Sequence, residues 1–404
     1  MKLAGRLDFI EPFYVMEMAK TAQQVAAGVA CDATLGGEPM IYMNVGEPDF
    51  TAAPLVVAAA KACLDGGRSQ YTQSTGILPL REAISGWYAQ RWGLAIDPAR
   101  IVITAGASAA LQLVCLALFE AGDEVLMPDP CYPCNRHFVA VTGAQARLLP
   151  TSPQTRFQLD AASVQAHWSD SSCGVLLASP SNPTGTSIEP AQMQAIVDFV
   201  RSRSGVSIVD EIYLALSYDE RFGRSALEYG DDVISINSFS KYFAMTGWRL
   251  GWAVLPPALV APVEKLAQNL YICASSVAQQ AALACFEPAS IAAYEQRRGE
   301  FQRRRDRVVP GLERLGLAVP VPPDGAFYAW ADCSAHATSS WDFCFDLMHR
   351  AHVTLTPGRD FGPLAAERYL RLSFANSMAQ IDEALSRIER VIHHSGSRSG
   401  VTSR

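Results

Sequence analysis

Between residues 101 and 255 the chain repeats one figure: a short apolar run, a turn of small or polar residues, then a stretch of helical periodicity. Seven such runs stand out, at 101–103, 124–127, 146–149, 175–178, 206–209, 233–236 and 250–255. Runs this short and this largely apolar read as strands buried on both faces. Strands that alternate with crossover helices build a mainly parallel sheet covered on both sides. The expected fold class is therefore α/β, with a doubly wound, seven-stranded, mainly parallel sheet. In such sheets ligands gather at the carboxyl ends of the strands.

The residues that follow these runs carry the chemistry. After 101–103 comes Thr104-Ala105-Gly106-Ala107-Ser108, a turn opening into a helix. The unpaired N–H groups and dipole of a helix N-terminus suit a phosphate, and small residues let it approach. After 124–127 comes Asp129-Pro130-Cys131-Tyr132-Pro133, and after 175–178 comes Ser179-Pro180-Ser181-Asn182-Pro183-Thr184-Gly185. Asn182 can donate to a phenolate oxygen or to a carboxylate. Asp210 ends the run 206–209 and is followed by Glu211, Ile212 and Tyr213. A carboxylate ending a buried strand is costly unless it meets a cation. Glu211 receives no role. The run 233–236 leads into Ser238, Ser240 and Lys241, with Arg249 bracketed by Gly247 and Gly251. A desolvated lysine gives up its proton readily, and arginine grips phosphate oxygens in a fork. The combination suits an amine that forms a Schiff base beside a bound phosphate.

Outside the repeat, residues 1 to about 40 read as an arm and a helix, with Phe13, Tyr14, Met16 and Met18 at its start. The turn Asn44-Val45-Gly46-Glu47-Pro48-Asp49-Phe50 follows, then helices over 54–64 and 80–92. A charged helix over 291–315 is expected to link into a smaller α/β domain with strands at 325–330, 353–356 and 369–374. Helices are expected there at 341–350 and 378–393. Arg371 alternates within the last of those strands and needs an acidic partner or a ligand. The expected division is 1–43 for the arm and part of the small domain, 44–287 for a large domain and 288–394 for the small domain. Residues 395–404 are expected to form a disordered tail rich in Ser, Gly and Arg.

The segment SFSKYFAMTGWRLGW, residues 238–252, resembles the lysine segment of class I/II aminotransferases, pyridoxal-phosphate (PLP) enzymes of fold type I. The pattern Y-x-x-x-x-G-x-x-x-L-R-E-A from Tyr71 matches that family too, and the likeness covers about residues 40 to 375. The resemblance implies a large PLP-binding domain, a smaller α/β domain and a homodimer with two shared active sites. It implies that Lys241 carries the Schiff base and shuttles the substrate proton. Asp210 keeps the pyridine protonated, Asn182 and Tyr213 set its phenolic oxygen, and Tyr132 stacks on the ring. Ala107, Ser108, Ser238, Ser240, Arg249 and the neighbour's Tyr71 hold the phosphate. Gly46, Asn182 and Arg371 hold the substrate carboxylate.

The implied reaction moves an amino group from an L-amino acid to a 2-oxo acid. The same site chemistry also supports a lyase or synthase, by β-elimination or ring formation. A non-catalytic PLP-binding regulator is disfavoured, because the full catalytic set is present and no DNA-binding module precedes it. Some aspartate-using relatives place a lysine in the phosphate turn, where this chain has Ser108. With no cation in that turn, and Phe13 and Tyr14 in the arm beside it, neutral donors are expected over aspartate. Aspartate specificity is the alternative.

A net charge of −7 argues against nucleic acid or an acidic membrane surface as partner. No apolar run approaches the ~18 residues of a membrane-spanning helix, and the first residues lack the apolar core of a secretory signal. A cytoplasmic location is expected. Cys131 and Cys134 form a C-x-x-C with His137 three residues on, but no second pair stands at ligand spacing. No metal is expected.

Overall fold

The computed structural model describes residues 1–12, 14–31, 38–364 and 366–396. Twelve strands are found among them. In chain order they are β1 (Ile41–Tyr42), β2 (Ile101–Thr104), β3 (Glu124–Asp129), β4 (Gln145–Pro150), β5 (Ser172–Ala178) and β6 (Val206–Asp210). Then come β7 (Ile234–Ser238), β8 (Gly251–Val254), β9 (Tyr328–Asp332), β10 (Val353–Thr354), β11 (Thr356–Pro357) and β12 (Tyr369–Ser373).

All seven expected runs enter one sheet, in the order β2-β8-β7-β6-β5-β3-β4. Strands β7, β6, β5, β3 and β4 pair in parallel, while β8 is antiparallel to both its neighbours. Alternate residues of β5 show why both faces must be covered. Leu176 packs with Val114 and Val263 of the helices Ala107–Leu118 and Pro257–Leu270. Its neighbours Val175 and Leu177 pack on the other face with Ile196 and Val200 of the helix Pro190–Ser202. Each such side chain is fully buried, a burial that stabilises by about 1.5–3 kcal/mol.

The reversal of β8 places its first residue at the rim where its neighbours end, since Gly251 pairs with both Thr104 and Ser238. Arg249, two residues earlier, is thereby delivered to the same rim as Lys241.

The second sheet is antiparallel, in the order β11-β12-β9, and β1 pairs with β10 alone. The strand expected at 325–330 begins at Tyr328, because Gly325 lies in a turn pressed against Pro180. The arm helix spans Tyr14–Cys31 and the last helix Met378–Gly396. From residue 397 on, the expected tail lies outside the described residues, as does Phe13. No helix among the described residues is long and apolar enough to cross a membrane.

Candidate active site

Lys241 stands just past β7 in a turn tied by its own serine. The Ser238 hydroxyl accepts from the Ser240 N–H (3.0 Å) and donates to the Leu250 carbonyl (3.3 Å). Phe239 anchors the turn beneath, fully buried against Phe243 and Trp252. The Lys241 Nζ donates to the Gly46 carbonyl at 2.6 Å. Burial lowers its pKa to about 8; Glu47 opposes the shift, while Arg371 and Arg249 reinforce it.

Asp210, the last residue of β6, is buried and accepts from the Ile212 N–H through Oδ1 at 3.2 Å. Burial pushes its carboxyl up to about 7, against the pull of that N–H and of Lys241. Glu211, next in sequence, makes contacts of its own. It accepts from the hydroxyls of Ser225 (2.9 Å) and Ser235 (2.6 Å) and from the Ala226 N–H (2.6 Å). It ties the end of β6 to β7 and to the segment at Ser225.

Two glycines let Arg249 reach the start of the helix Ala107–Leu118. Gly106 has φ +86°, and a Cβ there would lie 2.6 Å from Arg249 Nη2. A Cβ on Gly251 would lie 2.7 Å from the Ala107 nitrogen. Arg249 itself has φ +54°, and its Nη1 donates to the Thr246 carbonyl at 2.9 Å.

Arg371 projects from β12, 2% exposed. Its Nη1 donates to Asn182 Oδ1 (2.8 Å) and its Nη2 to the Asn44 carbonyl (2.6 Å), while Nε has no partner among the described residues. The guanidinium lies over the rings of Tyr328 (4.4 Å) and Phe361 (4.9 Å). Among the described residues no carboxylate comes within 4.0 Å of Arg371, Arg249 or Lys241, so the buried arginine has no salt bridge to explain it.

These groups line one cavity of about 250 Å³. Gly46, Ala107, Ser108, Tyr132, Asn182, Asp210, Tyr213, Ser240, Lys241, Arg249 and Arg371 all border it. Two expected residues do not. Ser238 lies beneath the turn, and Tyr71 is 79% exposed on the outside of the chain. The arm also differs from expectation. Val15 and Met16 border the cavity, whereas the Tyr14 ring packs on Trp341 (5.7 Å, edge-on).

Sequence reasoning missed Tyr328. Its hydroxyl shares a 2.8 Å hydrogen bond with that of Tyr213, and it would lie 2.5 Å from a Cβ on Gly46. The only local sign was an aromatic in a strand-forming run. Cys131 is buried and Cys134 partly so, and no group of three or more possible metal ligands occurs among the described residues.

Residues 38–388 match the family described as Aminotransferase class I and II. The chain is 37% identical over 382 residues to a valine–pyruvate aminotransferase of Mycobacterium tuberculosis, covering 94% of this chain and 96% of the relative. It is 34% identical to the (5-formylfuran-3-yl)methyl phosphate transaminase of Methanocaldococcus jannaschii, covering 97% of this chain and all of the relative. The crystal structure of an aminotransferase from Mycobacterium tuberculosis superposes with a TM-score of 0.92 at 36% identity, over 98% of this chain and all of that one. Strand order, rim chemistry and these likenesses agree: the chain belongs to the class I and II aminotransferase family and is a transaminase.

Proposed function

We propose that the protein is a PLP-dependent aminotransferase that takes its amino group from an L-amino acid with a neutral side chain and works as a cytoplasmic homodimer with shared sites. The observation that carries this is an imbalance of charge. Three cations, Lys241, Arg249 and Arg371, and the buried carboxylate of Asp210 face one cavity without ion-pair partners among the described residues. A fitting ligand must bring two anionic groups and a cationic one. The phosphate and ring nitrogen of PLP and the carboxylate of an amino acid are such a set.

The donor set and the cradle fit PLP. Arg249 and the N–H groups opening the helix at Ala107 and Ser108 would take the phosphate, brought close together because Gly106 and Gly251 carry no side chain between them. Asp210 would hold the ring nitrogen and Tyr132 the ring, with Asn182 and Tyr213 toward its phenolic oxygen. When bound, PLP supplies an aldehyde carbon for the amine and a ring that accepts electrons.

The chain's own residues do the rest. Arg371, held by Asn182 and Asn44, clamps the donor's carboxylate and so orients its Cα. Lys241, whose burial lowers its pKa to about 8 and so leaves more of the amine unprotonated near neutrality, moves the proton on and off Cα. Val15, Met16, Val45, Leu111 and Ile212 form the apolar part of the lining, which favours a neutral side chain because an unpaired carboxylate there would be desolvated. The exposed Tyr71, with Leu78, Leu270 and Ile272 also bare, supports a partner subunit.

The test is a half-reaction. PLP-loaded protein mixed with one amino acid and no acceptor should release one 2-oxo acid per site and then stop, with alanine or valine faster than aspartate. Continued product release without an acceptor would indicate a lyase. A higher kcat/KM for aspartate than for every neutral donor would overturn the side-chain assignment.

A further inference from the structure

Three consecutive residues, Arg359, Asp360 and Phe361, each hold a different part of the molecule. The Arg359 guanidinium lies 4.3 Å from the Trp341 ring, on which Tyr14 of the arm packs. The Phe361 ring lies under the Arg371 guanidinium, and its carbonyl accepts from the Cys131 N–H at 2.8 Å, beside Tyr132. Asp360, 1% exposed, points its carboxylate at the arm. Its Oδ1 accepts from the Tyr14 N–H (3.0 Å) and its Oδ2 from the Val15 N–H (3.2 Å).

Those two N–H groups open the helix Tyr14–Cys31, so a residue 346 positions away supplies the cap its first turn needs. A carboxylate also suits the positive end of a helix dipole. Arg136 adds a second tie, donating to the Asp360 carbonyl (3.5 Å) and to Glu11 (3.0 Å) of the preceding arm segment. The next side chains along the arm, Val15 and Met16, border the cavity. The β11 strand just before this segment pairs Thr356 with Arg371. One short segment therefore holds both the guanidinium and the apolar arm residues that border the cavity.

We infer that Asp360 is a positioning residue for donor selection: by capping the arm helix it seats Val15 and Met16 against the cavity at a set distance from Arg371. The inference rests on the reading of Arg371 as the carboxylate clamp. Removing the carboxylate frees the first turn of the arm, and the wall it carries loses its fixed place. Discrimination by side-chain size, for which one methylene counts about 10–200-fold, is then relaxed.

The experiment compares Asp360→Ala, Asp360→Asn and Val15→Ala, each loaded with PLP, with the parent protein. Hydrogen exchange is followed at the amides of residues 14–20, with and without PLP, and kcat and KM are measured for alanine and leucine as donors. In Asp360→Ala the arm amides should exchange about tenfold faster while those of the helix Met378–Gly396 keep their rate. The leucine-to-alanine ratio of kcat/KM should rise about tenfold, carried by KM. Asp360→Asn, which keeps one acceptor oxygen, should fall between, and it serves as the test if Asp360→Ala does not fold. Val15→Ala should move the donor ratio without moving exchange. Unchanged arm exchange in both Asp360 variants, or equal losses for both donors, overturns the inference. Exchange in the PLP-free protein reads the seat with no turnover, so a failed carboxylate clamp would show separately, as equal losses in Arg371→Leu for amines with and without a carboxylate.

Discussion

The amine of Lys241 is held against the carbonyl of Gly46, 2.6 Å away and 195 residues earlier in the chain. The contact joins the turn after β7 to the turn that follows β1, and it directs the amine across the cavity rather than out of it. The same glycine gives room to the Tyr328 hydroxyl, so any side chain at 46 would disturb both partners.

Lys241→Ala should lower turnover by on the order of 10²–10⁴-fold or more, since it removes the group that moves the Cα proton. The fold should survive, because the only hydrogen bond of the lysine's amine among the described residues is the one to Gly46. Borohydride reduction of the parent protein, followed by peptide mapping, should find PLP on Lys241; an adduct on another lysine would refute the assignment.

Arg371→Leu removes a buried cation that borders the cavity. Breaking a buried pair costs about 3–5 kcal/mol, which reads as roughly 10²–10³-fold or more in kcat/KM for amino acids. Amines lacking a carboxylate should lose much less.

Gly106→Ala tests the phosphate cradle. The new Cβ would meet Arg249 at 2.6 Å from a backbone already at φ +86°. Gly67→Ala is the control, with φ +65° and open space around it. Gly67→Ala should lose about 1–2 kcal/mol of stability to backbone strain, and Gly106→Ala about 1–3 kcal/mol, because its ψ of 168° lies in a region that glycine alone adopts readily. Only Gly106→Ala should also release PLP, its dissociation constant rising about tenfold. Equal PLP affinity in the two variants would remove Arg249 from the cradle.

Much of this was legible because a strand delivers its next residue to the rim by geometry alone. Asp210 and Lys241 lie where a local pattern places them, one closing β6 and the other in the turn past β7. Ser238 shows the limit of that rule, since its hydroxyl is spent on the Ser240 N–H and the Leu250 carbonyl. Tyr328, Asp360 and Val15 were not legible. Their contacts join residues 115 to 346 positions apart, and no periodicity announces which of many buried aromatics or acids crosses to the site. Two-residue strands such as β1 and β11 are likewise too short to leave an alternating pattern.

Stability of the PLP-free protein should depend on pH through Asp210 and Glu211, both pushed up to about 7 by burial. A carboxyl with a raised folded pKa binds its proton more tightly in the native state. Its contribution is full below about 4 and is lost as pH rises to about 7. Lys241 acts in another window: lowered to about 8, it contributes stability above its ordinary pKa that is lost as pH falls to 8. Denaturant midpoints should therefore fall between pH 4 and 7, and less steeply in Asp210→Asn. Loading PLP should remove the Asp210 share, because a cation beside the carboxylate lowers its pKa. An identical slope in parent and Asp210→Asn would contradict this.

Tyr71 is proposed to act in the partner's site. Tyr71→Ala and Lys241→Ala subunits, mixed in equal amounts and allowed to exchange, should recover about a quarter of the parent's activity, since random pairing makes about half of the dimers hybrids and each hybrid has one intact site of two. No recovery despite proven exchange would place Tyr71 outside catalysis.

The reversed strand β8 has a consequence for the chain's length as well as its composition. Lys241 and Arg249 sit on one connection, closed at its base by the pairing of Ser238 with Gly251. An added residue in most surface loops simply bulges into solvent. Here it would have to be absorbed by moving Arg249 relative to Lys241 or by slipping β8 one step along β7. A slip of one residue turns every side chain of a strand to the opposite face, which would take Trp252 out of its aromatic cluster. The spacing between the two cations is thus a ruler cut into the sheet, and insertions there should be rarer than substitutions.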